Sequence, residues 1–179
     1  MNSVRIIGGA YRRRLLRFPD SEGLRPTPDR VRETLFNWLG QELDGQHCLD
    51  LFAGSGALGF EAASRGAARV VMVEKNPCVL AALRENHALL QKPAAVEIVR
   101  GDALEYAASS RSKFDLIFLD PPFNVGWINR LEHVLPAVLQ ADAAIYVEAE
   151  HEITSLGDWR TIRQGRAGEV HFHLLRRPA

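Results

Sequence analysis

The run Phe114-Asp115-Leu116-Ile117-Phe118-Leu119 constrains the fold of this 179-residue chain more than any other stretch. Nearly unbroken apolar character over such a run is the pattern of a strand covered on both faces, which occurs in parallel sheets flanked by helices. The run ends in Asp120-Pro121-Pro122-Phe123. In open α/β sheets ligands bind beyond the carboxyl ends of the strands, where these four residues would stand. Two prolines fix φ and remove two backbone donors, leaving a stiff loop that presents bare carbonyl oxygens. A carboxylate and a carbonyl, acceptors only, beside an aromatic ring form a receptor for a flat group bearing an NH2.

The remainder of the chain from His47 onward repeats strand, turn and helix. Strands are expected at His47–Phe52, Arg69–Val73, Val96–Val99, Phe114–Leu119 and Ala143–Glu148. Helices are expected at Ala57–Arg65, Pro77–Leu90, Ala103–Ala108 and Trp127–Leu139. This alternation indicates a doubly wound, mostly parallel sheet with helices on both faces. Trp159–Arg163 and Glu169–Leu175 alternate about a Gly-Arg-Ala-Gly turn and are expected to form an antiparallel hairpin. Ahead of this body, Val4–Ile7 and Arg13–Phe18 flank Gly8-Gly9-Ala10-Tyr11, a second hairpin. A helix follows, with Thr27 as its expected cap, Pro28 at its first position, an apolar stripe of Val31, Leu35, Trp38 and Leu39, and Gly40 as its stop. The chain therefore divides into a basic extension, 1–40, and a body, 41–179.

Charge supports that division. The net charge is zero, but 1–32 carries eight arginines against Asp20, Glu22 and Asp29, and the rest of the chain balances this with an acidic excess. A basic arm on an acidic body suits a polyanionic partner, and Arg is the side chain suited to bidentate phosphate contact. Arg5, Arg12, Arg13, Arg14, Arg25, Arg30 and Arg32 are the candidate RNA contacts. No apolar run approaches the ~18 residues of a bilayer span, and the first residues lack the apolar core of a signal peptide. Cys48 and Cys78 form no metal or redox motif and are expected to be reduced and buried in a cytoplasmic protein. His171 and His173 alternate along a strand without metal-ligand spacing, so no metal is expected.

The second candidate site is Asp50-Leu51-Phe52-Ala53-Gly54-Ser55-Gly56-Ala57-Leu58-Gly59, a G-x-G-x-x-G placed directly after a strand. Such a loop serves dinucleotides and nucleoside-based methyl donors alike. Asp50 stands four residues before the first glycine, where it would repel a pyrophosphate and attract the ammonium and sulfonium of S-adenosylmethionine. Glu74, at the next strand end, can accept from both ribose hydroxyls. Asp102 and the Ala103 N–H, after the third strand, can meet adenine. Three acids at three successive strand ends on one edge point to this cofactor.

Taken together, Asp50 to Gly59, Glu74, Gly101-Asp102-Ala103 and Asp120 to Phe123 resemble the motif series of class I S-adenosylmethionine methyltransferases that modify exocyclic amines. Ile6-Ile7-Gly8-Gly9, Arg13 to Leu16, Leu24-Arg25-Pro26-Thr27 and Asp29 to Leu39 are more specific and are similar to the RsmD family, bacterial methyltransferases of guanine N2 in 16S ribosomal RNA. The resemblance covers nearly the whole chain. It implies a Rossmann-like, seven-stranded, mostly parallel sheet with a C-terminal antiparallel hairpin. It also implies a catalytic loop of Asp120, Pro121, Pro122 and Phe123. The cofactor residues it implies are Asp50, Phe52, Ala53, Gly54, Ser55, Gly56, Glu74, Lys75, Asp102 and Ala103, with S-adenosylhomocysteine as product. The expected partner is the small ribosomal subunit or its rRNA, met by a monomer without a membrane. Asp120 and the Pro121 carbonyl would orient the guanine amine, Phe123 would stack on the base, and Asn124 and Trp127 would line the loop. Three other readings stay open at this level: transfer to DNA adenine or a protein glutamine amide, nicotinamide-dependent redox chemistry, and a non-catalytic RNA-binding or assembly module. A DNA enzyme would need a target-recognition region for which few residues remain. Glutamine-directed enzymes open this loop with Asn, and a nicotinamide enzyme leaves Asp120 to Phe123 without a task.

Overall fold

The computed structural model describes residues 1–179. The hairpin strands β1 (Asn2–Arg5) and β2 (Leu15–Phe18) pair antiparallel as a small separate sheet, and α1 (Asp29–Leu39) follows. The body alternates β3 (His47–Asp50), α2 (Ala57–Ser64), β4 (Arg69–Glu74), α3 (Pro77–Leu89), β5 (Val96–Arg100), α4 (Ala103–Ser109), β6 (Phe114–Leu119) and α5 (Trp127–Leu131). A 3-10 turn at Leu135–Val138 leads into β7 (Leu139–Ala149), followed by β8 (Ser155–Leu156), β9 (Trp159–Ala167) and β10 (Val170–Arg176). The order across the main sheet is β5-β4-β3-β6-β7-β10-β9-β8, with β3 to β7 parallel and the last three antiparallel. The expected seven strands are present, and the two-residue β8 adds an eighth at the edge by folding Leu156 back onto Trp159.

The doubly covered pattern of the central strands is realised residue by residue. Cys48, Val70, Met72, Leu116, Phe118, Ala144 and Tyr146 face one core, shared with α1, α2, α3 and the N-terminal hairpin. Leu49, Val71, Val73, Ile117, Leu119, Ile145 and Val147 face the other, under α4, α5 and the 3-10 turn. Period-two alternation thus sends successive residues of one strand into different cores. Each large side chain fully buried here contributes roughly 1.5–3 kcal/mol.

Residues 1–40 are not a free arm. Val4, Ile6, Leu16, Phe18, Val31, Leu35 and Phe36 belong to the same core as the sheet. Phe36 meets Phe118 of β6 at 6.3 Å between ring centroids, and Trp38 stacks on Phe172 of β10 at 5.5 Å. Below them, Glu61 of α2 is fully buried and accepts from the Ile7 and Gly8 N–H groups (2.8 and 2.9 Å), from Arg32 Nη1 (3.1 Å) and from Arg65 Nε (2.9 Å). The Arg65 guanidinium lies over the Phe36 ring at 4.6 Å. One carboxylate therefore ties the hairpin to α1 and α2.

Several local expectations change. The α1 cap is not Thr27: the helix begins at Asp29 with Pro28 in the capping position and no side-chain cap, because the Thr27 hydroxyl is used elsewhere. By contrast, the Asn76 carboxamide oxygen caps α3 by accepting from the Cys78 and Val79 N–H groups, with Pro77 first in the helix. The helix expected over Trp127–Leu139 stops at Leu131; Pro136 cannot donate to an α-helical ladder and sits in the 3-10 turn instead. Cys48 is buried, and burial pushes its thiol up to about 12. Cys78 is exposed in the first turn of α3, whose buried positions begin at Val79. No helix is long and apolar enough to cross a membrane.

Candidate active site

The parallel strands deliver a row of acids to the carboxyl edge of the sheet. Asp50 ends β3 opposite Met72 of β4 and Phe118 of β6, Glu74 ends β4, and Asp102 follows β5. In the β6–β7 ladder Phe118 pairs with Tyr146 and Leu119 with Val147, so Asp120 and Glu148 leave neighbouring strands at the same level. Alternation places Asp50, Asp120 and Glu148 on the sheet face covered by α1 and the hairpin.

The glycine loop has the shape its sequence requires. Gly56 adopts φ 84°, and a Cβ there would stand 2.5 Å from the Phe60 ring and 2.8 Å from Leu83. A Cβ at Gly59 would collide with the Met72 thioether, so this glycine sets the approach of α2 to β4. The loop's donors are largely used within the protein. Phe52 N–H goes to Asp50 Oδ1 (3.3 Å), Ala53 N–H to the Val73 carbonyl (3.0 Å), Gly54 N–H to Glu74 Oε1 (2.9 Å), and Gly56 N–H to the Ala53 carbonyl (2.8 Å). The loop therefore supplies a close-fitting surface, and the polar recognition falls to the acids. Ser55 is buried and its Oγ accepts from Ala57 N–H.

Glu74 Oε2 accepts from the Lys75 and Asn76 N–H groups (3.0 and 2.9 Å). Three backbone donors hold this carboxylate in place, and a carboxylate has about four acceptor positions, so a hydroxyl donor can still be met. Asp102 caps α4 through Glu105 N–H (3.1 Å), with Lys75 Nζ 3.9 Å away across the mouth. The Ala103 N–H, first in α4, has no intrahelical partner by position. This donor set fits the ammonium, ribose and adenine of S-adenosylmethionine.

The three deeper acids are unusual in lacking cations. Burial lifts Asp50 from 3.8 to about 7, with Glu74 and Glu148 adding to the shift. Burial also raises Asp120 well above the ordinary carboxylate range, reinforced by the charges of Glu148 and Asp50 and offset by no hydrogen bond. Glu148 is raised by burial and partly restored by the Thr27 hydroxyl, which donates to Oε2 at 2.5 Å. The Tyr146 hydroxyl lies beside Glu148 yet makes no hydrogen bond of ordinary geometry. No group of three or more His, Cys, Asp or Glu side chains is arranged to hold a metal ion.

In the loop that follows β6, Pro121 is buried, Pro122 is exposed, and Phe123 is half-buried. Phe123 belongs to neither hydrophobic core and pairs with no other aromatic ring. Asn124 is exposed with φ 64°. Trp127 turns away to the opposite core, where it meets Phe52 edge-on at 5.1 Å, so both rings buttress the loops behind the acids.

The structure also sorts the arginines. Arg5, Arg12, Arg13, Arg14, Arg25 and Arg30 are exposed. Arg14 donates to the Leu89 carbonyl at 2.6 Å. Arg32 is 0% exposed and is consumed by Glu61, Asp29 and the Thr27 and Arg5 carbonyls, so it is withdrawn as an RNA contact. On sequence grounds Glu148 and Tyr146 carry no role, and Thr27 only that of a helix cap. The available signal was an acid closing the apolar strand run from Ala143, the same pattern that marks Asp50 and Glu74.

Comparison with known proteins adds to this geometry. Residues 4–176 match a family profile described as "Conserved hypothetical protein 95". The chain is 43% identical to "Ribosomal RNA small subunit methyltransferase D" of Escherichia coli (strain K12), covering 98% of this chain and 91% of that protein. Its fold superposes on "Putative methyltransferase yhhF from Escherichia coli" with a TM-score of 0.86 and 43% identity, covering 99% of each chain. It also shares its fold with an RNA methyltransferase from Salinibacter ruber solved in complex with S-adenosyl-L-homocysteine, at 19% identity, TM-score 0.68, and coverage of 87% of this chain and 95% of that one.

Proposed function

This chain belongs to the RsmD family of small-subunit ribosomal RNA methyltransferases, and from that premise we propose that it transfers the methyl group of S-adenosylmethionine to the exocyclic N2 amine of a guanine in 16S ribosomal RNA. The observation that carries the reading is Asp120: a carboxylate without a hydrogen bond inside the protein, carried on a proline-stiffened loop beside Asp50.

Asp50, Glu74, Asp102 and the Ala103 N–H hold the cofactor's ammonium, ribose and adenine, and the glycine loop gives it a fitted floor. When bound, S-adenosylmethionine supplies an electrophilic methyl on a sulfonium. The guanine N2 lone pair is delocalised into the ring and is a poor nucleophile. Asp120 and the Pro121 carbonyl accept its two N–H bonds and turn the lone pair toward the methyl, so positioning is the main contribution of the loop. Asp120 is also the group placed to take the proton released on transfer. Phe123 stacks on the base, worth roughly 1–3 kcal/mol. The amine lies on a base edge, so the nucleotide leaves its stack to enter the site. Residues 1–40 act as the RNA-contacting extension, with Arg5, Arg12, Arg13, Arg14, Arg25 and Arg30 meeting phosphates. The partner is the assembled or assembling small subunit in the cytoplasm, met by a monomer.

The test is transfer of labelled methyl to small subunits lacking the modification, followed by nucleoside analysis. N2-methylguanosine is the expected product; a methylated adenosine, or no product, overturns the reading. Asp120→Ala should lower the rate by ~10²-fold or more while cofactor affinity persists, and a wild-type rate in that variant removes Asp120 from the mechanism.

A further inference from the structure

Glu148 has a partnership that the chemistry above does not use. It is 4% exposed, at the level of Asp120 on the neighbouring strand and on the same face of the sheet. The stretch Leu24–Thr27 crosses this edge as a strap. At one end Leu24 Cδ1 lies 2.8 Å from where a Cβ on Gly54 would stand, and at the other Thr27 donates to Glu148.

A buried carboxylate is expensive unless it is paired and well bonded. Glu148 accepts from one hydroxyl through Oε2. Arg32 of α1 reaches the Thr27 carbonyl with Nε but gives its charge to Glu61 and Asp29. The Tyr146 hydroxyl, in a fully buried residue beside Glu148, has no hydrogen-bond partner of ordinary geometry, so it leaves that carboxylate with the Thr27 hydroxyl as its one well-formed donor. A buried carboxylate with one well-formed donor keeps acceptor positions that a ligand N–H can fill.

Guanine supplies what is missing. Its N1–H lies on the same edge as the N2 amine, one bond removed through C2. With Asp120 and the Pro121 carbonyl on the two N2 hydrogens, N1–H is the remaining donor of that edge, and Glu148, level with Asp120 on the neighbouring strand, is a buried acceptor on the same sheet face. We propose that Glu148, braced by Thr27, accepts the N1–H of the target base and so determines that the amine methylated is that of guanine. Adenine and 2-aminopurine carry a lone pair at N1, which a carboxylate repels. This inference rests on guanine N2 being the methyl acceptor.

The experiment uses the full-length protein with small subunits reconstituted around 16S RNA carrying either guanine or 2-aminopurine at the target. 2-Aminopurine keeps the N2 amine and lacks only N1–H and O6. Wild-type kcat/KM should favour guanine by on the order of 10²-fold. In Glu148→Gln the rate on guanine should fall by ~10-fold or more, and the preference should collapse to within about threefold or invert, because the Gln amide can donate to N1 of 2-aminopurine. Thr27→Val should raise KM for guanine-containing subunits while leaving S-adenosylmethionine affinity unchanged. Equal losses on both substrates in Glu148→Gln, or an undiminished preference, overturn the proposal. A wild-type protein that methylates no guanine in natural subunits overturns the function beneath it, and the proposal with it.

Discussion

Asp50 titrates near neutrality, at about 7 in place of 3.8. Between those values the folded, ligand-free protein holds a proton that the unfolded chain has released. Stability from this group is therefore fully present below pH ~4 and is lost as pH rises to ~7, a change on the order of 4 kcal/mol. Asp50→Asn should raise the melting temperature of the ligand-free protein at pH 8 and change it little at pH 5, as calorimetry would show. A bound cation reverses the balance by favouring the ionised acid. S-adenosylmethionine should then bind wild type more tightly at pH 8 than at pH 6. Asp50→Asn should bind it at least ~10-fold more weakly and without that pH dependence; titration calorimetry at the two pH values would show whether the dependence survives. Asp50, Glu74, Asp102 and Asp120 were legible in the sequence because each stands where an apolar run gives way to glycine, proline or a helix start. Glu148 shares that signature, but its meaning comes from Thr27, 121 residues away in the chain.

Among the elements, α1 divides most sharply between what was legible and what was not. Of its expected apolar stripe, Val31 and Leu35 are buried and Trp38 and Leu39 are half-buried against the same core, and Phe36, outside that stripe, is buried as well. Its arginines look alike in sequence and divide in the fold: Arg30 is exposed, and Arg32 is sealed under the hairpin. A helix of 3.6 residues per turn sends positions two apart to different sides, and only the hairpin's placement decides which side is covered. Removing one partner of a buried ion pair leaves the other charge uncompensated, typically at ~3–5 kcal/mol. Arg32→Ala should lose about that much in urea unfolding, and Glu61→Gln should fall in the same range because it frees both Arg32 and Arg65. If Arg32→Ala instead kept full stability and lost RNA affinity alone, the buried network would have no structural role. Trp127–Leu139 misled for a different reason. Its apolar spacing suits a helix, but Pro136 interrupts the donors and Leu139 already pairs with Phe114 as β7 begins.

For the molecule as a whole, the arginine-rich extension and the acid-lined edge are joined by the Leu24–Thr27 strap. Under the proposed function, this junction lets RNA held by exposed arginines of the extension reach the edge near Asp120 without a separate domain. Replacing Arg12, Arg13 and Arg25 together with glutamine should weaken binding to small-subunit RNA and flatten its salt dependence, by roughly 0.7–0.9 in log–log slope for each phosphate no longer neutralised. Cofactor affinity should stay within about twofold. Parallel salt-titration and cofactor-binding measurements check this, and equal loss of both affinities would signal misfolding instead.

The sequence by itself determined the parallel α/β architecture, the edge at which ligands are met, and the acids that stand there. Those features follow from local alternation and from turn residues, which act over a few positions. Only the tertiary structure decided which arginines remain exposed, that Phe123 stays outside both cores, and that Thr27 serves Glu148 rather than capping α1. Those outcomes depend on strand register and on the packing of segments distant in the chain, which bring together partners that no local pattern relates.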